Sequence, residues 1–256
     1  MHTMSPLVNL PFEERAGITV MALPRFRDLG VDAFFTSRHG GVSEGPYASL
    51  NLGGHVGDQQ DHVEENLRRV ASAIATQRIH RVSQVHGADV VDVHHINDTT
   101  RADAILCHDH DVTVAVLVAD CTPLLIVDEG SHQLCVVHAG WRGLASGIIE
   151  SAVSAMGVNP TALHVAIGPA ISGDRYQVGP EVIAASPYFA PNARADQGDR
   201  SLLDTRATAV SILQAIGVRE SNITVSSSTT DGGEQFFSDR AERPCGRFAL
   251  VAKWQS

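Results

Sequence analysis

Three residues of this chain have side-chain types and local settings that suit a metal ion: His86, Cys121 and His138. In Ser83-Gln84-Val85-His86-Gly87 the histidine closes a strand-like run, and the glycine after it lets the backbone turn so that the imidazole projects. In Val118-Ala119-Asp120-Cys121-Thr122-Pro123 the cysteine stands just past a buried apolar strand, with Pro123 read as the stop to its continuation. In Cys135-Val136-Val137-His138-Ala139-Gly140 a histidine again ends a strand before a glycine turn. Sites on layered α/β folds tend to lie at such strand ends. Two neutral imidazoles and one thiolate match the borderline-soft preference of Zn²⁺, and three protein ligands leave a fourth position open, the pattern of catalytic zinc. The expectation is one zinc per chain in a metal-dependent enzyme. Spacing alone does not join the three, because they lie 35 and 17 positions apart and no short metal motif links them.

The remaining thiols and imidazoles have plainer readings. Cys135 alternates onto the strand face opposite His138 and Cys107 ends an apolar run, so both are read as core residues. Cys245, in a Pro-Cys-Gly turn, is read as an exposed thiol. His94, His95, His108 and His110 lie in polar loops and are read as surface histidines.

The elements that must position the triad follow from hydrophobic periodicity. Strands are expected over residues 31–36, 79–85, 89–93, 112–119, 133–137, 163–167, 223–226 and 248–252. The 112–119 run is continuously apolar and β-branched, which suits a strand covered on both faces. Helices are expected over 61–75, 144–156 and 203–216, the last two closed by Gly157 and Gly217. A loop of about twenty residues, Ser37 to Asp58, is long enough to suggest a functional role. The fold class is α+β or mixed α/β: a layered α/β/β/α sandwich with mixed sheets, in a single domain over residues 1–256.

Composition limits the function classes. With 43% hydrophobic and 19% charged residues, the chain is globular rather than disordered. A formal charge of −10 without any long run of like charges argues against a nucleic-acid partner, which needs a basic face. No 18-residue apolar stretch and no basic-then-apolar leader is visible, so no membrane partner and a cytoplasmic location are expected. Four cysteines without close pairing are expected to be reduced thiols.

Six ordered stretches together carry a resemblance: Thr36-Ser37-Arg38-His39-Gly40-Gly41-Val42-Ser43, Tyr47-Ala48-Ser49-Leu50-Asn51-Leu52-Gly53, Gln84-Val85-His86-Gly87, Ala119-Asp120-Cys121, His138-Ala139-Gly140-Trp141-Arg142-Gly143 and Ile167-Gly168-Pro169-Ala170-Ile171. The chain resembles a family first labelled multicopper polyphenol oxidases, or laccase-domain proteins, and now associated with purine nucleoside phosphorolysis and adenosine deamination. The resemblance implies that His86, Cys121 and His138 are the zinc ligands and take part in catalysis. It also implies nucleoside substrates such as adenosine, inosine, guanosine or methylthioadenosine, with phosphate as co-substrate. Departures lie in the outer groups. Glu65-Asn66-Leu67 replaces the family's Glu-Asn-Arg, with Arg68 about 100° further round the helix. Ser228-Thr229 stands for Cys-Thr, and Asp239-Arg240-Ala241 leaves Arg240 alone of an arginine pair.

Phosphorolysis needs an anion cradle. The Gly140-Trp141-Arg142-Gly143 turn opens a helix, so free N–H groups lie beside Arg142, and Arg38 in a His-Gly-Gly loop offers a second guanidinium. Asn51 is read either as a substrate contact or as a turn stabiliser. Tyr47 and Trp141 are available for stacking or for packing, and Asp120 is the acidic residue nearest the cysteine in sequence. Phosphate or substrate binding is thus assigned to Arg38, Asn51, Arg142 and Arg240.

Two rival functions use the same chain. A polyphenol oxidase needs a trinuclear copper cluster built from paired His-X-His segments, and His108-Asp109-His110 is the one such segment here, so copper is disfavoured. An amide hydrolase acting on peptidoglycan precursors, suggested by the bacterial peptidoglycan editing group of the same family, would use Cys121 as nucleophile with His138 or His86 as base. A structural zinc module is disfavoured because such sites close with four protein ligands.

Overall fold

Along the Thr113–Val118 strand, Val114, Val116 and Val118 face one hydrophobic cluster and Ala115 faces another, so both faces are covered, as its unbroken apolar run requires. The same double burial recurs in the Thr122–Asp128 strand, whose Leu125 and Val127 face the first cluster while Leu124 and Ile126 face a third. These observations come from a computed structural model, which describes residues 7–232 and 234–255.

Two large mixed sheets stack on each other. A seven-stranded sheet runs in the order Leu7–Val8, Ile223–Ser226, His164–Ile167, Thr122–Asp128, Gln133–Ala139, Ala104–Cys107, Val90–Asp92. A six-stranded sheet runs Phe12–Arg15, Ile18–Ala22, Val31–Thr36, Phe248–Trp254, Thr113–Val118, Ile79–His80. Phe35, Val116 and Leu250 from the second sheet meet Ile105, Leu125 and Val136 from the first in the central core. The outer face of the seven-stranded sheet is covered by the Ile148–Met156 and Thr205–Ala215 helices, and that of the six-stranded sheet by the Gln60–Ala73 helix. The layering is α/β/β/α, as expected. A three-stranded sheet, Gln177–Val178, Ser201–Leu203 and Ala193–Ala195, was not legible from periodicity because its strands have two or three residues each.

Four further departures bear on the site. Pro123 does not end the strand region: it is the second residue of the Thr122–Asp128 strand, paired with His138. Asp120 takes a left-handed φ of 82°, which carries the chain from one sheet to the other. Cys121 therefore sits at the crossover between sheets. The expected 144–156 helix is two helices, Trp141–Ala145 and Ile148–Met156, broken at Gly147 with φ 85°. The expected strand 79–85 shrinks to Ile79–His80 plus a single bridge from Ser83 to Arg101. The Phe12–Arg15 and Ile18–Ala22 hairpin was missed because its first strand is charged and partly exposed. No helix among the described residues is long and apolar enough to cross a membrane.

Candidate active site and metal centre

The ligand atoms of His86, Cys121 and His138 all lie within 4.8 Å of one another. The two imidazoles meet edge to face, with ring centroids 4.8 Å apart. The sequence could not bring them together; one buried carboxylate does. Asp103, wholly buried, has its Oδ1 2.7 Å from His138 Nδ1. The same carboxylate accepts the backbone N–H groups of His86 at 2.9 Å, Gly87 at 2.7 Å and Val85 at 3.2 Å. These bonds hold His86 in a left-handed conformation, φ 61°, that turns its imidazole towards Cys121. The Asp103 carbonyl also accepts from His138 N at 2.7 Å. Burial by itself raises the Asp103 pKa, but His138 and the Gly87 and His86 amides outweigh it and hold the carboxyl below its usual range.

Bonding of Nδ1 to Asp103 leaves His138 Nε2 as the nitrogen for a metal, the carboxylate–histidine arrangement common around zinc. Burial raises the Cys121 thiol pKa, yet the His138 and His86 imidazoles more than reverse this and bring it down to about 6. In turn burial lowers His138, but Cys121 and Asp103 push it up to about 9. The two groups stabilise each other's charged forms. A thiolate and two imidazoles at this separation fit a soft-to-borderline divalent cation. Gly140 is required for space: a Cβ there would sit 3.1 Å from both Cys121 Sγ and His86 Cδ2.

The triad opens onto a cavity of about 720 Å³ lined also by His55, Arg81, Ser83, Leu117, Asp239 and Arg247. A second cavity, of about 440 Å³, contains Leu7, Arg194, Arg206 and Val210 and shares no residue with the triad. None of Arg38, Asn51, Arg142 and Arg240 lines the larger cavity.

Each of those four has a definite place. Asn51 is buried, donates to Gly53 O at 3.2 Å and Asp58 Oδ2 at 2.9 Å, and accepts from Gly53 N and Arg247 N at 2.9 and 2.8 Å. Its amide is engaged within the chain, so of the two readings the geometry matches the turn stabiliser. Arg38 packs over Phe237 at 4.6 Å, donates to Ala48 O at 2.9 Å and pairs with Glu242 at 3.6 Å. Its loop is compact: a Cβ on Gly41 would lie 2.1 Å from Ser49 O, so the glycine permits close approach. Arg142 is exposed and stacks on Trp141 at 4.3 Å, while Arg240 stacks on Tyr176 at 5.1 Å. Tyr47 donates to Val56 O at 2.7 Å. Asp120 accepts from the Thr230 hydroxyl and, at 2.6 Å, from Arg240 N, which ties the C-terminal loop beside Cys121.

Arg68 is exposed and pairs with Glu65, whereas Arg69 reaches Gly40 O at 2.8 Å and braces the His-Gly-Gly loop. The four thiols are free, and Cys107 and Cys135 are buried as read; Cys245 is buried too, correcting its reading as exposed, because Arg247 folds over it at 3.2 Å. Sequence reasoning missed Asp103, Arg81 and Arg247. A lone aspartate before an apolar run and two isolated arginines carry no periodic signal; only the packing of distant segments selects them.

Known proteins bear on this geometry. Residues 32–255 match a family described as multi-copper polyphenol oxidoreductase laccase. The chain is 38% identical over 227 residues to purine nucleoside phosphorylase YfiH of Escherichia coli, covering 86% of this chain and 92% of that one. It is 31% identical over 230 residues to a purine nucleoside phosphorylase of Haemophilus influenzae, covering 86% and 93%. Among solved structures, YlmD from Geobacillus stearothermophilus superposes with a TM-score of 0.87 at 32% identity, covering 96% of this chain and 100% of that one. Neisseria meningitidis protein NMB0706 superposes with a TM-score of 0.85 at 32% identity, covering 97% and 100%. With the match running over nearly the whole chain in both sequence and structure, this protein belongs to the multi-copper polyphenol oxidoreductase laccase family, the family of the YfiH-type purine nucleoside phosphorylases.

Proposed function

We propose that the chain is a zinc-dependent purine nucleoside phosphorylase. His86, Cys121 and His138 hold one Zn²⁺, the adjoining cavity takes a purine nucleoside, and phosphate displaces the base to give ribose 1-phosphate and free purine. The observation that carries this reading is Arg81. Arg81 lines the cavity, its guanidinium donates to Leu52 O at 3.3 Å, and no described carboxylate is paired with it. Burial lowers its pKa, the mark of a cation held in a poorly solvated place without a counter-ion. An anionic co-substrate supplies that counter-ion. Arg247, by contrast, is fixed by Asp239 at 3.1 Å and by the Cys245 and Gly246 carbonyls, and forms the cavity wall.

The cavity volume, about 720 Å³, lies within the usual range for small-molecule sites. Bound zinc supplies Lewis-acid stabilisation of negative charge developing on the substrate. The protein's part is to orient: Asp103 fixes His138 and the His86 turn, and Arg81 anchors phosphate. Hydrolytic deamination of adenosine is a second reading, favoured by the open fourth position that a three-ligand set leaves on zinc. The family label favours copper, and the same donor set occurs in blue-copper sites, but those are closed to substrate, whereas here the triad borders a cavity and His86 is exposed.

The test is to incubate zinc-loaded protein with adenosine, inosine, guanosine and methylthioadenosine, with and without phosphate, and to identify products by mass. Ribose phosphate and free base formed only with phosphate is the expected result; inosine from adenosine without phosphate reveals deamination. No cleavage of any purine nucleoside overturns the phosphorylase reading. Labelling of Cys121 by an alkylating reagent without loss of metal would favour the amide hydrolase, whose nucleophile must be free.

A further inference from the structure

Far along the sheet edge, strand register assembles a second set of metal-ligating side chains. Val90–Asp92 and Ala104–Cys107 run parallel at one edge of the seven-stranded sheet, with Asp92 opposite Leu106. Two residues further on, the same offset sets His94 beside His108, and their rings lie 5.5 Å apart. Asp92 turns the chain by accepting from His94 N through Oδ1 at 2.9 Å, which leaves Oδ2 3.7 Å from His108 Nδ1. The ligand atoms of Asp92, His94 and His108 also lie within 4.8 Å of one another.

An independent observation concerns Asp109. Its side chain is 35% exposed and its Oδ2 stands 2.8 Å from His94 Nε2, an ion pair when that ring is protonated, with no aligned hydrogen bond on the oxygen. With the His94 ring neutral, this carboxylate adds a second negative charge beside the cluster. A cation beside His94 satisfies it. Two carboxylates and two neutral imidazoles bring two negative charges, which one divalent ion balances, and the imidazoles select a borderline ion over Mg²⁺ or Ca²⁺.

We propose that Asp92, His94 and His108, with Asp109 against them, bind a second Zn²⁺-class ion. The site has no thiolate and its histidines are exposed, so it binds more weakly than the triad and clamps the Val93–His95 turn to the end of the Ala104–Cys107 strand.

The experiment is a Co²⁺ and Zn²⁺ titration of the metal-stripped full chain, followed by equilibrium dialysis and absorption spectroscopy. Two equivalents are expected: one with thiolate-to-cobalt charge transfer, and a weaker one with ligand-field bands only. The double variant His94→Ala/His108→Ala should keep the charge-transfer equivalent and lose the other. Cys121→Ser should lose charge transfer and keep the second, so failure at either site is read separately. His132→Ala serves as control, since that ring lies tilted beside His110 at 5.5 Å but belongs to neither ligand group among the described residues, and two equivalents should remain. Saturation at one equivalent, or two equivalents persisting in the double variant, overturns the proposal, as does loss of the second ion in the control.

Discussion

The Asp103 carboxylate stands 2.7 Å from His138 Nδ1 and also gathers the His86 and Gly87 amides, so one buried side chain orients both imidazoles of the candidate metal centre. Asp103→Asn keeps the size but replaces one acceptor with an NH₂ that confronts backbone donors. Metal affinity should fall roughly 10- to 100-fold, the usual cost of losing a partner that orients a ligand. Competition with a chromogenic chelator measures it; unchanged affinity would show that the triad orients itself.

Thiol reactivity separates Cys121 from its three counterparts. Its pKa is lowered to about 6, while Cys107 is pushed up to about 11, Cys135 to about 12, and Cys245 upwards, all three by burial. A lowered thiol pKa means that the thiolate, the reactive form, predominates above about pH 6 and disappears as pH falls below it. In chelator-treated native protein, iodoacetamide should therefore modify Cys121 alone at pH 7, with a rate that rises around pH 6. Added Zn²⁺ should suppress the labelling. Peptide mass mapping reads the site, and equal labelling of several cysteines would contradict the assignment.

Arg81 and Arg142 make opposite predictions. Arg81→Ala should raise the phosphate KM at least tenfold with zinc content unchanged, because a charge-assisted contact to phosphate contributes about 1.5–3 kcal/mol. Arg142→Ala, at an exposed residue stacked on Trp141, should leave the phosphate KM within about twofold, as surface changes do. If the two effects are exchanged, the anion site lies on the Trp141 side.

Close packing between the Phe35 ring and Gly168 provides a stability test. A Cβ on Gly168 would lie 2.2 Å from Phe35 Cε1, and Phe35 is wholly buried in the central core. Gly168→Ala should destabilise the fold by about 1–3 kcal/mol through overpacking, with little change in the urea m-value. Chemical denaturation followed by fluorescence reports it; an unchanged midpoint would mean that the ring moves aside freely.

The layers were legible because a strand covered on both faces must be apolar throughout, as in Thr113–Val118, and a covering helix must carry an apolar stripe, as in Gln60–Ala73. The setting of His138, at the end of an apolar strand before Gly140, was legible too; those of His86 and Cys121 were legible only in part, since the strand before His86 shrinks to Ile79–His80 and Pro123 continues a strand instead of stopping one. The gathering of the three was not, for it depends on Asp120 carrying the chain between sheets and on Asp103 reaching residues 16 to 35 positions away. Nor could sequence distinguish Arg81, lining a cavity with no carboxylate partner among the described residues, from Arg38, folded over Phe237. Residue type and periodicity determine most of the apolar core and which side chains can ligate, though not the burial of Cys245. Which charges find partners within the chain, and which are left for a ligand, is decided by tertiary packing, because desolvation and pairing depend on neighbours that are remote in sequence.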